Sequence, residues 1–171
     1  RVTNKNRLSL ESLAKKSGLN NFKFTVQDKN STYLPAKIKN EYYPIYYAEP
    51  QSKNKTILGY DISNHPDILN HLIQARDSGK TVATNTNFWF SNNSKMAMLI
   101  FAPVYSGKSI PKSIEGKKRL FKGVVVGVYW INDMIEQIIN PYLVQGIFLT
   151  IFDENKQNEI YGRFQKGDLI K

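Results

Sequence analysis

Apolar and polar residues repeat along this chain with the spacing of strands and helices, which predicts a mixed fold. Apolar residues alternate with polar ones over 22–26, as in a half-buried strand, and a second strand is predicted over 43–48. Ile68, Leu72 and Ala75 repeat at helical spacing. Later apolar runs predict further strands and another helix. The predicted order is strand, strand, helix, strand, strand, strand, helix, strand, over 22–26, 43–48, 67–78, 82–90, 97–105, 123–130, 133–140 and 146–152.

The predicted helix over 67–78 has clear signals at both of its ends. Ser63 or Asn64 can cap its first turn. Pro66 suits the first helical position, because its missing amide proton loses no hydrogen bond there. Gly79 favours a helix end, since glycine readily adopts the left-handed conformation that closes a helix.

Two other helices are predicted from weaker signals. Ser9 can cap a short helix over 10–17, which we expect to be the tail of a longer one. Asn132 or Asp133 can cap the later helix, and Pro141 stops it. Residues 106–122, SGKSIPKSIEGKKRLFK, are predicted to form a long loop of the kind that is usually functional or mobile.

This order of elements predicts the α+β class. Two strands, a helical crossover and a three-strand meander give an antiparallel sheet with helices on one face. PAS-like sensor domains are built in this way. The concave face of such a sheet and its crossover helices enclose a pocket, which is a usual place for a small ligand.

Composition narrows the class of protein further. The chain has 171 residues, of which 41% are hydrophobic and 22% charged, so we expect it to fold around a sizeable core. It has no cysteine, which excludes disulfides, thiolate zinc sites and cysteine nucleophiles. No run of 18 apolar residues is present, so the chain as given does not span a membrane. Its start at Arg1 without a methionine favours an excised or processed segment.

The net charge of +10 raises the possibility of an anionic partner. Lysines are scattered along the chain, however, which favours a solubilising surface over a nucleic-acid-binding stripe. Those in 106–122 could touch anionic headgroups, although a solvated loop is the simpler interpretation. An enzyme is the remaining alternative, but no Walker loop, nucleophile elbow or zinc-protease motif is present. His65 and His71 are not spaced to share a metal ion, and we expect no metal and no cofactor.

Five ordered blocks of this sequence resemble the CHASE domain, covering roughly 42–136. They are YYPIYYAEP, LGYDISNHPD, LIQARDSGKTVAT, MLIFAPVYSG and KGVVVGVYWINDMIE. The resemblance implies an extracytoplasmic sensor of a membrane-bound histidine kinase or cyclic-di-GMP enzyme. It also implies a homodimer, anchored in the membrane by segments outside this chain, with a small-molecule ligand and no nucleic-acid partner.

The resemblance also points to ligand-binding residues. The family's threonine falls on Thr84, whereas its carboxylate falls at or beside Pro50, where Glu49 is the nearest acid. One polar anchor is kept and another is lost, so we expect a small molecule other than a cytokinin. Aromatic side chains around these anchors can supply apolar contact with a polar tip, or else pack in the core. The predicted ligand-binding residues are Tyr46, Glu49, Tyr60, Thr84, Asn87, Trp89 and Phe101.

Other residues are assigned structural roles. Asp61 resembles the family's Gly-x-Asp element and is expected to cap the turn that follows it through backbone amides. Gly59 and Gly79 are assigned to turns. Residues 1–20 are predicted to end an N-terminal dimerisation helix, 21–140 to form a membrane-distal PAS-like sensor subdomain, and 141–171 to begin a membrane-proximal one.

Overall fold

The structure, a computed structural model, describes residues 1–30, 32–50, 54–84, 97–140, 149–152 and 159–163. Within these residues four α-helices are interspersed with short β-strands. The helices are α1 Asn4–Lys16, α2 Pro66–Ser78, α3 Ile114–Leu120 and α4 Ile131–Ile139. The strands are β1 Val2–Thr3, β2 Thr25–Gln27, β3 Tyr33–Pro35, β4 Glu41–Tyr42, β5 Val82–Ala83, β6 Ala97–Tyr105, β7 Phe121–Trp130, β8 Leu149–Phe152 and β9 Glu159–Arg163. This mixture confirms the predicted α+β class and is consistent with a PAS-like fold.

The described strands pair into small sheets. β1 pairs antiparallel with β4, which places Val2 opposite Tyr42. β2 and β3 form an antiparallel hairpin with Val26 opposite Leu34. β5, β6 and β7 are neighbours in that order in a three-stranded sheet, and β8 pairs antiparallel with β9.

The first helix begins earlier than its sequence pattern suggested. The chain is still extended at Thr3 and becomes helical at the next residue, so the predicted start after Ser9 was wrong. Arg7 and Glu11 form an ion pair one turn apart, with 3.0 Å between Nε and Oε1, which favours the added turns. The amide of Ser17 donates to a carbonyl one turn back, so the predicted end of this helix is confirmed.

The second helix follows the prediction at its C-terminus and departs from it at its N-terminus. Pro66 occupies the first turn, as expected. Gly79 has a φ of +74°, and its amide closes the last turn. The predicted cap at Ser63 or Asn64 was wrong, because these residues belong to a separate 3₁₀ turn that ends before the helix begins.

Residues 43–48 do not form the strand that was predicted for them. Pro44 makes an isolated bridge, and the backbone of Ile45 bonds to a loop instead of a strand. Its amide donates to the Tyr60 carbonyl over 2.9 Å, and its carbonyl accepts from the Gly59 amide over 2.8 Å. Tyr43 is buried and Tyr46 half-buried beside this loop, whereas Tyr47 is 84% exposed, so the tyrosine-rich pattern does not mark a regular strand.

The segment 106–122, predicted as a loop, contains α3. Ser113 caps this helix, since its hydroxyl accepts from the Gly116 amide over 3.1 Å. Lys117 donates to the last two carbonyl groups of α2, over 3.1 and 2.9 Å. The turn-forming residues suggested a loop, whereas this contact with the end of α2 stabilises a short helix.

The strand predicted over 22–26 is present only in part, because β2 begins at Thr25 and residues 22–24 do not belong to it. The other strand predictions agree with what is described. β6 confirms the strand over 97–105, and β7 confirms the one over 123–130 with two residues added at its start. β5 begins the strand predicted over 82–90, of which 85–90 lie outside the described residues. The described part of the strand predicted over 146–152 is β8. α4 confirms the later helix, but it begins at Ile131 with Trp130 as its cap, so the predicted cap at Asn132 or Asp133 was wrong. β9 was not predicted.

The chain divides into two compact units. The first comprises 1–82 and 102–125, and the second 83–101 and 126–171. A buried cluster in the first unit contains Ala14, Phe22, Phe24, Ala36 and Tyr42. The buried apolar residues of the second unit include Ala97, Leu99, Phe101, Ile131 and Tyr161. The subdomain boundaries predicted at residues 20 and 140 stay predictions. Among the described helices, none has both the length and the apolar content that crossing a bilayer requires.

Candidate functional site

Thr84 follows β5 and bonds to β6 through both its backbone and its side chain. It is 5% exposed. Its amide donates to the Leu99 carbonyl over 2.8 Å, and its Oγ1 accepts from the Leu99 amide over 3.0 Å. A threonine hydroxyl carries one proton and two lone pairs, so these two bonds leave the proton unused. Thr84 can therefore fix the two strands together and also donate a hydrogen bond to a ligand.

Phe101 lies on the buried face of β6. Alternate residues of a strand share one face, and Ala97, Leu99 and Phe101 are each at most 1% exposed. Phe101 is 0% exposed, so its ring packs within the protein on the strand to which Thr84 is bonded. Asn87 and Trp89, which were predicted to complete this part of the site, lie outside the described residues.

Tyr60 is a buried phenol in the first unit. Its ring meets that of Tyr33 edge-on at 5.7 Å between centroids, and the His65 ring lies at 6.1 Å. In the part of the chain that is described, its hydroxyl has no hydrogen-bond partner. Burial raises the pKa of Tyr60 to about 12, so the hydroxyl keeps its proton at neutral pH. Since buried polar groups are normally paired, this proton is a candidate donor to a ligand or a water.

Tyr46 and Glu49 have different surroundings. Tyr46 packs edge-on against Phe22 at 5.4 Å and against Tyr47 at 4.7 Å, so its ring covers the buried cluster of the first unit. Glu49 is exposed. A carboxylate in water is a weak anchor for a ligand unless the ligand covers it, because water competes for its hydrogen bonds.

The predicted ligand-binding residues are divided between the two units. Tyr46, Glu49 and Tyr60 belong to the first unit, whereas Thr84 and Phe101 belong to the second. The loop bonds between residues 45 and 60 bring Tyr46 and Tyr60 to neighbouring segments. That these residues line one pocket stays a prediction.

Asp61 is fully buried, and its carboxylate organises the surrounding chain. Oδ1 accepts from the Tyr43 amide over 2.9 Å, from the Ser63 amide over 3.2 Å and from the Ser63 hydroxyl over 2.7 Å. Oδ2 lies 2.6 Å from Nζ of Lys39. The carboxylate thus caps the 3₁₀ turn Ile62–Asn64 and also holds the backbone at Tyr43.

Gly59 occupies a position where no side chain fits. Its φ is +87°, and a Cβ placed there would lie 2.1 Å from the carbonyl oxygen of Lys23. The Gly59 carbonyl in turn accepts from the Thr25 amide over 3.0 Å. The close approach of the two backbones brings β2 beside the loop that carries Tyr60 and Asp61.

The carboxylate of Glu41 in β4 is the centre of a second set of polar contacts. It accepts from the Tyr43 hydroxyl over 2.5 Å and pairs with the guanidinium of Arg1. Burial alone would raise the pKa of Glu41, but the bonds from Tyr43 and Arg1 together lower it. Burial and the adjacent carboxylate raise the pKa of Tyr43. Within the described ranges no three His, Asp or Glu side chains are placed to hold a metal ion.

A hollow of about 290 Å³ opens beside the β2–β3 hairpin of the first unit, and we call it the hairpin hollow. Its walls are Val26, Gln27, Asp28, Leu34, Pro35, Ala36, Lys37, Lys39 and Asn64. No predicted ligand-binding residue lines it, so sequence reasoning missed this feature. The apolar wall arises from the pairing of Val26 in β2 with Leu34 in β3. A prediction of β3 from the sequence would have revealed it, but β3 was not predicted.

Polar bonds tie α1 to residues 36–39, which we call the exit segment. Nη1 of Arg7 donates to the Ala36 carbonyl over 2.9 Å and to the Tyr42 hydroxyl over 3.4 Å. That hydroxyl accepts from the Lys39 amide over 2.9 Å. The Arg7 guanidinium also lies over the Tyr42 ring, 5.2 Å from its centroid. One tyrosine therefore connects the first helix to the chain that borders the hairpin hollow.

Comparison with known proteins gives a consistent result. Residues 1–161 match the CHASE domain family, which is nearly the whole chain. A relative is the hybrid signal transduction histidine kinase A of Dictyostelium discoideum, which is 26% identical over 128 residues. The matched part covers 70% of this chain and 6% of the relative, so the chain corresponds to a small part of that kinase.

Proposed function

Because this chain belongs to the CHASE domain family, we propose that it is the extracytoplasmic ligand-binding domain of a transmembrane receptor. The family match over residues 1–161 makes it a sensor domain of signalling receptors, and this match carries the proposal. The relative is named as a histidine kinase, which supports a kinase as the cytoplasmic output. A cyclic-di-GMP enzyme is the other output that the family allows. The sensor itself performs no catalysis.

The ligand is a diffusible small molecule that bonds to Thr84. Within the described residues the hydroxyl of Thr84 is buried and accepts from Leu99, and its proton can still be donated to a ligand, which supports this role. In the first unit, taken by itself, Tyr60 offers another buried, protonated hydroxyl as a hydrogen-bond donor. Phe101 supplies apolar surface, as do aromatic side chains generally in small-molecule sites.

The signal is a change in the disposition of α1. A ligand shifts a conformational equilibrium only if it binds the two states with different affinities. α1 leaves Leu8 76% and Leu13 54% exposed, and apolar side chains on a helix surface suit packing against a second copy. In the proposed homodimer, anchored by segments outside this chain, ligand binding alters that packing and thereby the output domain.

A melting-temperature screen of the chain tests ligand binding. The panel contains amino acids, purines, carboxylates and short acyl metabolites, because their sizes suit a PAS-like pocket. At 100 times its dissociation constant a ligand stabilises the folded chain by about 2.7 kcal/mol. We expect the shift to be lost in Thr84→Val, which keeps the shape and removes the hydroxyl, and to be kept in Thr84→Ser. A shift that survives both Thr84→Val and Trp89→Ala would place the ligand elsewhere.

A topology experiment tests the extracytoplasmic location. Protease added to intact cells that carry the full-length receptor should cleave this domain while a cytoplasmic marker stays whole. Protection of the domain until the cells are lysed would contradict the proposal. Retention of the chain on DNA that falls steeply with salt would instead favour nucleic-acid binding, the alternative suggested by the net charge of +10.

A further inference from the structure

The hairpin hollow has the features of a second ligand site, separate from Thr84 and contained in the first unit. We propose that it binds a small zwitterion of the α-amino-acid type with a short apolar side chain, and that α1 responds to this binding through Tyr42. Its volume of about 290 Å³ lies near the lower end of ligand pockets, which suits a ligand of this size.

The wall of the hollow is apolar where the two strands of the hairpin meet. Val26 and Leu34 lie opposite each other across β2 and β3, and Pro35 and Ala36 continue the wall. Leu34 is 44% exposed, so it presents apolar surface that a bound aliphatic group would cover. Burying such surface is favourable by about 25 cal/mol per Å². This wall selects a ligand with a short apolar group.

The cationic part of the rim is held in position. Nζ of Lys39 lies 2.6 Å from Oδ2 of Asp61 and donates to the Ser63 hydroxyl over 2.8 Å. An ammonium group has three N–H donors, so these two contacts leave one that can reach a ligand carboxylate. Lys37, which is exposed, lines the same rim and adds a second ammonium. Because both partners of Lys39 are fixed, its ammonium needs little reorganisation to bind.

The opposite charge on the rim comes from Asp28. Its Oδ1 accepts from the Asn30 and Thr32 amides, both over 2.9 Å, which fixes the carboxylate in the hairpin turn. Oδ2 is not used in these bonds and can accept from a ligand ammonium. Lys37, Lys39 and Asp28 line the hollow, and Asp61 neutralises Lys39 from outside it, so the rim carries both signs. A ligand with both charges matches this rim better than a simple anion or a simple cation.

The exit segment connects this site to α1. Ala36, Lys37 and Lys39 line the hollow. The Tyr42 hydroxyl accepts from the Lys39 amide and donates either to the Lys37 carbonyl, over 3.1 Å, or to Oδ1 of Asn4 in α1, over 3.3 Å. A ligand that draws the exit segment toward the hollow alters the balance between these two acceptors. α1 then gains or loses a bond at its first turn.

A titration of the ¹⁵N-labelled 171-residue chain with L-leucine, followed by NMR, tests the proposal. Two matched probes accompany it: 4-methylpentanoate, which lacks the ammonium, and 3-methylbutylamine, which lacks the carboxylate. We expect saturable shifts of the Val26, Leu34 and Ala36 amides with leucine, and at least tenfold weaker binding of each analogue. Absence of saturable shifts, equal binding of an analogue, or shifts centred on Thr84 instead would overturn the proposal.

Variants assign the binding to the hollow without disturbing Asp61. Asp28→Asn removes the charge while its amide oxygen can still hold the turn, and Leu34→Gln removes apolar surface at a half-exposed position. Each should weaken leucine binding at least fivefold, whereas Lys29→Met, on the same turn but outside the hollow, should not change it. Tyr42→Phe should keep the shifts in the hollow and abolish those of the Arg7 amide. Unchanged affinity in both hollow variants, or persistent shifts of Arg7 in Tyr42→Phe, would contradict the assignment.

Discussion

Replacing Asp61 by asparagine tests how far one buried carboxylate stabilises the first unit. The substitution keeps the size of the side chain and removes its charge. Oδ2 lies 2.6 Å from Nζ of Lys39, so the new amide leaves that ammonium without its counter-charge. Oδ1 accepts three bonds, from Tyr43 and Ser63, which an asparagine oxygen can keep only in weaker form.

The expected decrease in the free energy of unfolding follows from these contacts. Breaking a buried ion pair by removing one partner costs about 3 to 5 kcal/mol. Lys39 has 36% of its side chain exposed, so water can rehydrate it and the loss falls at the lower end, about 3 kcal/mol. Asp61→Ala also leaves the Tyr43 amide without an acceptor and should cost about 1 to 3 kcal/mol more. Either loss is large beside a typical total stability of about 5 to 15 kcal/mol.

Urea unfolding followed by circular dichroism measures these losses, and hydrogen exchange of the Tyr43 amide locates them. Glu136→Gln is the control, because Glu136 is exposed on α4 and the loss of its charge should change the stability by no more than about 0.5 kcal/mol. If Asp61→Asn costs no more than this control, and the Tyr43 amide stays protected, the carboxylate does not have the stabilising role that its contacts indicate.

Three further substitutions test other parts of the structure. Gly59→Ala should destabilise the chain by more than about 2 kcal/mol in urea, because a Cβ meets the Lys23 carbonyl and the φ is positive; near-neutral behaviour would refute the close approach. Glu41→Gln should weaken the dependence of the free energy of unfolding on pH in acid. The lowered pKa of Glu41 contributes stability that is present above its ordinary pKa of 4.5 and is lost as the pH falls through the pKa in the folded state. An unchanged pH dependence would exclude the pairing. Phe101→Ala should cost about 3 to 5 kcal/mol by thermal unfolding, and a loss under about 1 kcal/mol would show that its burial is incomplete.

Local signals made some elements predictable from the sequence. Gly79 ends α2 and Pro66 starts it, because both act through their own backbone geometry. The apolar run of β6 was predicted with its observed bounds, since a strand of nine residues carries a clear pattern. The bonds from Asp61 to the turn after it follow from the short reach of an aspartate, which the sequence order alone reveals.

Features set by distant parts of the chain were not predictable in this way. β1 and β3 contain two and three residues, too few for any periodic pattern, and they exist because β4 and β2 pair with them. The partner of Asp61, Lys39, comes from a separate segment, so the ion pair had no sequence signal. The hairpin hollow depends on the same tertiary pairing. Thr84 was predicted as a ligand-binding residue through the family resemblance, and its bond to Leu99 was not anticipated.

Direct detection of a bound small molecule tests whether this domain binds a ligand through Thr84. Native mass spectrometry of the chain with the ligand found by melting should show one adduct per chain at ligand concentrations above the dissociation constant. We expect this adduct to persist in Thr84→Ser and to disappear in Thr84→Val. An unshifted mass with every compound of the panel, or an adduct that is equally strong in Thr84→Val and does not require Asp28 of the hairpin hollow, would contradict the proposal that this domain is a sensor that binds its ligand through Thr84.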